Sequence, residues 1–145
     1  MPADDPPVVV EETYRADVDT VWKAITEPDR MRRWYFDNIP DFRAEVGFET
    51  QFLISNGGRD FPHRWKVTEV IPRKRLIYDW KYDGYAGEAF VVFELSEATP
   101  GTRLRLSCIV RRDFPQDVPE FRRESCAQGW EYFIRQSLKH YLEAV

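Results

Sequence analysis

The final helix constrains this chain more than any other segment. The stretch QGWEYFIRQSLKHYLEAV carries four aromatic rings on a helical pattern. At steps of about 100° from Trp130, its apolar arc runs from Phe133 at about −60° through Tyr141, Ile134, Val145 and Leu138 to Leu142 at about +120°. An arc of about 180° is wider than the stripe of about 100° that an ordinary surface helix buries, so more than half of this helix must be enclosed. Tyr132, near 200° by the same roughly 100° step, faces away, and His140, near 280°, sits at the edge of the wet face. Glu131 borders the arc and reaches water by extending its stem.

The wrapping surface lies upstream. From Phe42 to Arg112 the chain reads as six strands, FRAEV, FETQFLIS, HRWKVTEVI, RLIYDWKY, EAFVVFELS and TRLRLSCIVR, divided by Gly47, NGGRD, Pro72, DGYAG and TPGT. Leu76, Tyr78, Trp80 and Tyr82 alternate, as do Leu104, Leu106, Cys108 and Val110 against Arg103, Arg105 and Ser107. One-sided strands of this kind suit an antiparallel sheet with one wet face.

Ahead of them, VVVEETYRA is a further strand with Val8, Val10, Glu12 and Tyr14 on one face. Val18, Val21, Trp22 and Ile25 then mark a short helix capped by Asp17 and ended by Pro28, and DRMRRW adds a second. The expected class is α+β: a curved seven-stranded antiparallel sheet closed over the long C-terminal helix, with two short helices after the first strand. Residues 1–7, MPADDPP, are expected to form a disordered tail, and residues 8–145 a single domain. A curled sheet and one helix leave space between them, and that space is the expected binding site.

Composition narrows the function. A formal charge of −4 offers no general attraction to phosphate backbones, so no nucleic-acid partner is expected. Arg111, Arg112, Arg122 and Arg123 sit among acids and read as solvated charge. No stretch reaches the roughly 20 apolar residues of a membrane span, and the start lacks a signal-peptide pattern, so a cytoplasmic protein without membrane insertion is expected. Two histidines and two cysteines, with no HExxH, GxSxG, GxxxxGK[ST] or GxGxxG, give no metal site and no cofactor motif. Cys108 and Cys126 both fall on inward faces; inert small hydrophobes are favoured over a redox pair, since nothing adjacent in sequence would lower a thiol pKa.

No catalytic residue is assigned, but two candidates stand out. Glu12 lies on an apolar face aimed at the final helix, where desolvation would raise its pKa unless a donor such as Tyr78 or Tyr82 meets it. The alternative is a register slip that sends it to solvent. Glu69, on the face of Trp65, Val67 and Ile71, poses the same choice. His63 has the free pKa of a general base, yet its place at the opening of a strand suits a rim residue.

The segments VWKAITEPDRMRRW, Gly47, VTEVIPRKRLIYDWKY, GTRLRL and GWEYFIRQSLKHYLE in this order resemble the family named after the activator of heat-shock-protein-90 ATPase, within the START-like or SRPBCC superfamily. The resemblance implies a helix-grip fold, with Trp22, Trp34, Pro72 and Trp130 in structural roles and no shared catalytic residue. Superfamily members typically bind small molecules or lipids, and some are cyclases or aromatases. The family name implies a co-chaperone, although in the named proteins that activity involves a second, N-terminal domain for which 145 residues leave no room.

The expectation is a non-enzymatic domain that binds a small apolar or aromatic ligand through Glu12, Thr50, Trp65, Tyr78, Trp80, Cys108, Trp130, Ile134 and Tyr141. One alternative is a chaperone-associated interaction module or stress-response co-chaperone-like protein. The other is a small cyclase, aromatase or hydrolase using Glu12 or His63. A monomer or weak dimer is expected, and the loops NGGRDFPHRW and DFPQDVPEF are candidates for the cavity rim.

Overall fold

The computed structural model describes residues 1–143. Val145, placed on the helix arc above, lies outside the described residues. In chain order, β1 (Val8–Tyr14) leads to α1 (Val18–Thr26) and α2 (Pro28–Trp34). Then come β2 (Glu49–Asn56), β3 (Arg59–Ile71), β4 (Arg75–Tyr82), β5 (Glu88–Ala98) and β6 (Gly101–Arg112). All pairings are antiparallel, in the order β1-β6-β5-β4-β3-β2. The sheet therefore has six strands and not the expected seven.

The missing strand is FRAEV. Phe42 is buried and edges against Tyr78 at 5.9 Å between ring centroids, but Val46, on the same alternating face, is 69% exposed. The Phe48 amide donates to the Glu45 carbonyl at 3.0 Å, closing a turn around Gly47, whose φ of 93° suits glycine. Only Gly47 and Phe48 reach the sheet, through the Val67 carbonyl and amide at 2.8 and 2.9 Å.

A bulge between Val67 and Glu69 reverses the remainder of β3. Val70, opposite the buried Leu76, turns to the core, and Ile71 becomes exposed. Glu69 pairs with Arg75 at 3.2 Å on the wet side. Of the two places open to it, beside Trp65 and Val67 or toward solvent, the inserted residue selects the second.

The first helices are fixed by local signals. The Asp17 carboxylate accepts from the Thr20 amide at 2.8 Å, capping α1, and Pro28 opens α2. The Trp34 Nε1–H donates to the Ala24 carbonyl at 2.7 Å, tying α2 to α1. After a single 3₁₀ turn at Pro119–Phe121, α3 (Arg123–Glu131), a π-helical stretch (Tyr132–Ser137) and α4 (Leu138–Glu143) run on as the C-terminal helix. The Leu138 amide reaches back to the Phe133 carbonyl, the wider spacing of a π turn.

Two side chains brace that stretch: the Tyr14 hydroxyl donates to the Ile134 carbonyl at 2.6 Å, and the Ser137 hydroxyl to the Trp34 carbonyl at 2.6 Å. Trp130, Ile134 and Leu138 are buried against the sheet. Tyr132 is 54% exposed, as its position on the helical wheel predicts.

The first seven residues, expected to fray, lie against the body. Met1 is buried and its carbonyl accepts from the Phe114 amide at 3.0 Å, while the Ala3 amide donates to Asp113 at 2.6 Å. Arg123 holds the carbonyls of Pro6 and Pro7. Prolines cannot join a ladder as donors, but their carbonyls can accept, and one arginine satisfies two of them.

Candidate functional site

A pocket of about 470 Å³ opens between the C-terminal helix and the sheet. Two surface depressions are larger, about 590 and 580 Å³, but they are lined by loop backbone and charged residues such as Arg15, Glu97, Lys74 and Arg105. The third has the convergent aromatic lining expected of a ligand site.

Its walls come from four places. The sheet supplies Ile54, Phe61, His63, Trp80, Tyr82, Ala89, Val91 and Cys108, all on inward-facing positions. The helix supplies Cys126, Gly129, Trp130 and Phe133. Phe36, just beyond α2, closes one end, and Met1, Phe114 and Phe121 close the other. Asn56, Glu120 and Ser125 form the polar part of the lining.

Both loops flagged in the sequence meet at this mouth. Glu120 accepts from Arg59 Nε at 2.9 Å and Nη2 at 3.0 Å, and from Asn56 Nδ2 at 2.9 Å. Arg59, with smaller help from the Glu120 backbone amide and Asn56, holds the Glu120 carboxyl below its ordinary pKa. The β2–β3 hairpin and the loop before α3 are thereby clamped together across the opening.

His63 is not at the rim. It is buried, stacked on Phe52 at 4.9 Å and edged by Tyr82 at 4.8 Å and Trp80 at 5.3 Å. Burial pushes its pKa down to about 4, against a smaller opposing effect of its bond to the Phe61 carbonyl. A neutral ring at pH 7 must donate through Nδ1 to that carbonyl, 2.8 Å away, which leaves Nε2 as the acceptor. So weak a base suits the holding of a hydroxyl or N–H better than the removal of a proton at neutral pH.

The Trp80 Nε1–H is enclosed and offers a ligand no surface. Tyr82 lies near it, but no contact between them has hydrogen-bond geometry, and the indole N–H is buried without an acceptor.

Of the residues anticipated as ligand contacts, Trp80, Cys108 and Trp130 reach the pocket. Thr50, Trp65, Tyr78 and Ile134 are buried deeper in the core. Trp65 packs 4.8 Å from Tyr78, whose hydroxyl meets that of Tyr35 at 2.7 Å. Tyr141 is half-buried beside Arg30, away from the pocket.

Glu12 points at the C-terminal helix, so the register of β1 is as expected. Its partners are Lys139 at 3.4 Å and Arg135 at 3.7 Å, not Tyr78 or Tyr82. Both cations belong to the C-terminal helix and reach back to β1.

Sequence reasoning missed Phe36, Phe114, Phe121 and Met1, which come from loops and tail with no periodicity to read. Phe61, Tyr82 and Phe133 did carry a signal, since each shares an inward face with a residue that was chosen.

A six-stranded antiparallel sheet gripping a C-terminal helix over an aromatic pocket defines a helix-grip domain of the START-like or SRPBCC class. Residues 15–143 match the family described as Activator of Hsp90 ATPase homolog 1-like protein, and the chain belongs to that family. DynU16, a protein of the dynemicin biosynthetic locus, is 26% identical with a TM-score of 0.77; the match covers 97% of this chain but 48% of DynU16, so the chain spans about half that protein's length. A Mesorhizobium loti protein is also 26% identical, with a TM-score of 0.75 and coverage of 95% and 97%. The Aha1 dimer from Colwellia psychrerythraea, 23% identical at a TM-score of 0.71 over 97% and 98%, shares the fold. No curated protein matches the chain by sequence. Among the described residues, no helix is long and apolar enough to cross a membrane.

Proposed function

We propose that this domain is a small-molecule binder, without catalysis of its own, whose ligand is an apolar or aromatic molecule carrying at least one hydroxyl or N–H group. The observation that carries the reading is the pocket of about 470 Å³, aromatic on nearly every side, with neutral His63 presenting Nε2 as acceptor. An aromatic ligand gains from burial and from ring contacts, at about 0.5–1.5 kcal/mol per pair beyond area. A donor on the ligand satisfies His63, at about 0.5–1.5 kcal/mol. A similar structure from a biosynthetic locus is in keeping with a small organic ligand.

Native mass spectrometry of the purified protein is the direct test, with a bound mass expected that is lost on denaturation. Thermal-shift screening should then favour hydroxylated aromatics, and His63→Phe should weaken such a hit at least tenfold, the loss of a hydrogen bond worth about 1.4 kcal/mol. A hydroxylated aromatic library that leaves the melting temperature unmoved, together with an empty native spectrum, overturns the reading.

The family description favours a second reading, a chaperone-associated module. The large exposed apolar side chains, Val9, Val46, Leu53, Ile71 and Tyr132, are spread over β1, the Gly47 turn, β2, β3 and the C-terminal helix. Recovery of the chaperone by the wild type, abolished by Tyr132→Ala or Leu53→Ala but not by His63→Phe, would favour this reading over ligand binding.

A further inference from the structure

The pocket wall holds two thiols whose chemistry the binding reading leaves idle. Cys108 on β6 and Cys126 on α3 both line the pocket, and their sulfurs are 4.0 Å apart. Cys108 is buried, whereas Cys126 is half-buried. They sit in contact range across the seam between sheet and helix, and rotation about the side-chain bonds is the movement needed to join them.

The two sulfurs are not equivalent. Adjacent sequence offered nothing to lower a thiol pKa, but the fold brings a cation near the pair. The Arg123 guanidinium, anchored on the Pro6 and Pro7 carbonyls, lies close enough to favour a thiolate at Cys126. The larger influence is Cys108 itself: the two sulfurs share an S–H···S contact that lowers the Cys126 thiol and, with burial, pushes the Cys108 thiol up. The half-buried Cys126 is thus the sulfur better placed to meet a molecule in the pocket, and Cys108 lies enclosed beside it.

We propose that Cys108 and Cys126 form a hydroperoxide-reactive dithiol site in the pocket wall, with Cys126 as the attacking sulfur and Cys108 as the resolving one. The Cys126 thiolate attacks the terminal oxygen of an organic hydroperoxide; the S–O bond forms, the O–O bond breaks, and the alkoxide leaves as the alcohol after taking a proton from water. Cys108 then attacks the resulting sulfenic sulfur. The S–S bond forms, and the sulfenic oxygen leaves as water with the Cys108 proton.

One hydroperoxide is reduced to its alcohol, and two thiols become one disulfide. The aromatic lining suits a hydroperoxide with an apolar body. The bridge would pin α3 to β6 beside Trp130, which neighbours both cysteines. This site stands on the thiols alone and survives failure of the ligand-binding reading.

The test uses the reduced full chain and cumene hydroperoxide, followed by intact mass and thiol counting. The expected product has lost two hydrogens, titrates no free thiol, remains monomeric and releases one equivalent of cumyl alcohol. Its rate should exceed that of glutathione at the same pH at least tenfold, as expected of a thiol with raised thiolate character.

Cys108→Ser should stop at a Cys126 sulfenic acid that dimedone traps, and Cys126→Ser should leave Cys108 unmodified. Cys108→Ala serves if the serine is not tolerated in the core, with near-UV circular dichroism confirming each fold. The proposal is overturned by thiols that persist when glutathione is consumed, by disulfide-linked dimers in place of the internal bridge, or by equal reactivity of the two single variants.

Discussion

A histidine without charge explains much at this site. Because burial places the folded-state pKa of His63 at about 4, below its ordinary 6.5, the unfolded chain takes up its proton first as pH falls. Stability from this residue is therefore fully present above pH 6.5 and is lost as pH drops toward 4, by up to about 3 kcal/mol. Urea unfolding at about pH 7 and about pH 4.5 should show a larger loss for the wild type than for His63→Gln, since the carboxylates common to both cancel in the difference. Equal losses would place His63 in contact with water. Glu12 illustrates the complementary case: period-two alternation read its direction, but the cations that meet it, Arg135 and Lys139, belong to another element. Side-chain reach across elements has no linear signature.

Elements were legible where one period governs them and obscure where a single residue breaks it. The alternation of β4 and β6 and the width of the helical arc anticipate the grip of sheet on helix. The bulge after Val67 and the π turn ending at Leu138 each insert one residue; the bulge sends Ile71 outward and brings Val70 in, whereas Trp130, Ile134 and Leu138 keep the inward face that the arc predicts. FRAEV failed as a strand because the Gly47 turn removes its partner, a matter of pairing and not of propensity. Gly87 shows how such irregular points build the pocket. Its φ is 116°, and a Cβ there would overlap the Phe114 ring that forms one wall. Gly87→Ala should cost more than about 2 kcal/mol, through strain and displacement of Phe114. Gly57→Ala, with φ 57° and open space around it, should cost only about 1 kcal/mol. Chemical denaturation of the pair measures the difference, and a small cost at Gly87 would mean that the Phe114 wall yields easily.

At the scale of the molecule, the pocket is bounded by segments distant in sequence, and two of them are joined by an ion pair at its mouth. The β2–β3 hairpin and the loop before α3 touch through Arg59, Asn56 and Glu120, and this contact spans the mouth. An exposed ion pair contributes little to global stability, so its effect should appear in access and not in melting. Glu120→Gln should leave the melting temperature nearly unchanged, while hydrogen exchange quickens selectively in residues 55–60 and 114–121. A ligand found by thermal shift should then bind and leave faster, with its equilibrium affinity almost constant, because the clamp touches the path more than the bound state. The same behaviour should emerge in the wild type in two ways. Salt screens the pair, and acid removes it: with the Glu120 carboxyl held below its ordinary 4.5, the clamp is intact above that value and is lost as pH falls through the lower folded-state one. Stopped-flow ligand exchange at low and high salt reads this directly. Rates that ignore both salt and Glu120→Gln would mean that ligands enter elsewhere, past Met1 and Phe114, where the tail covers the opposite wall.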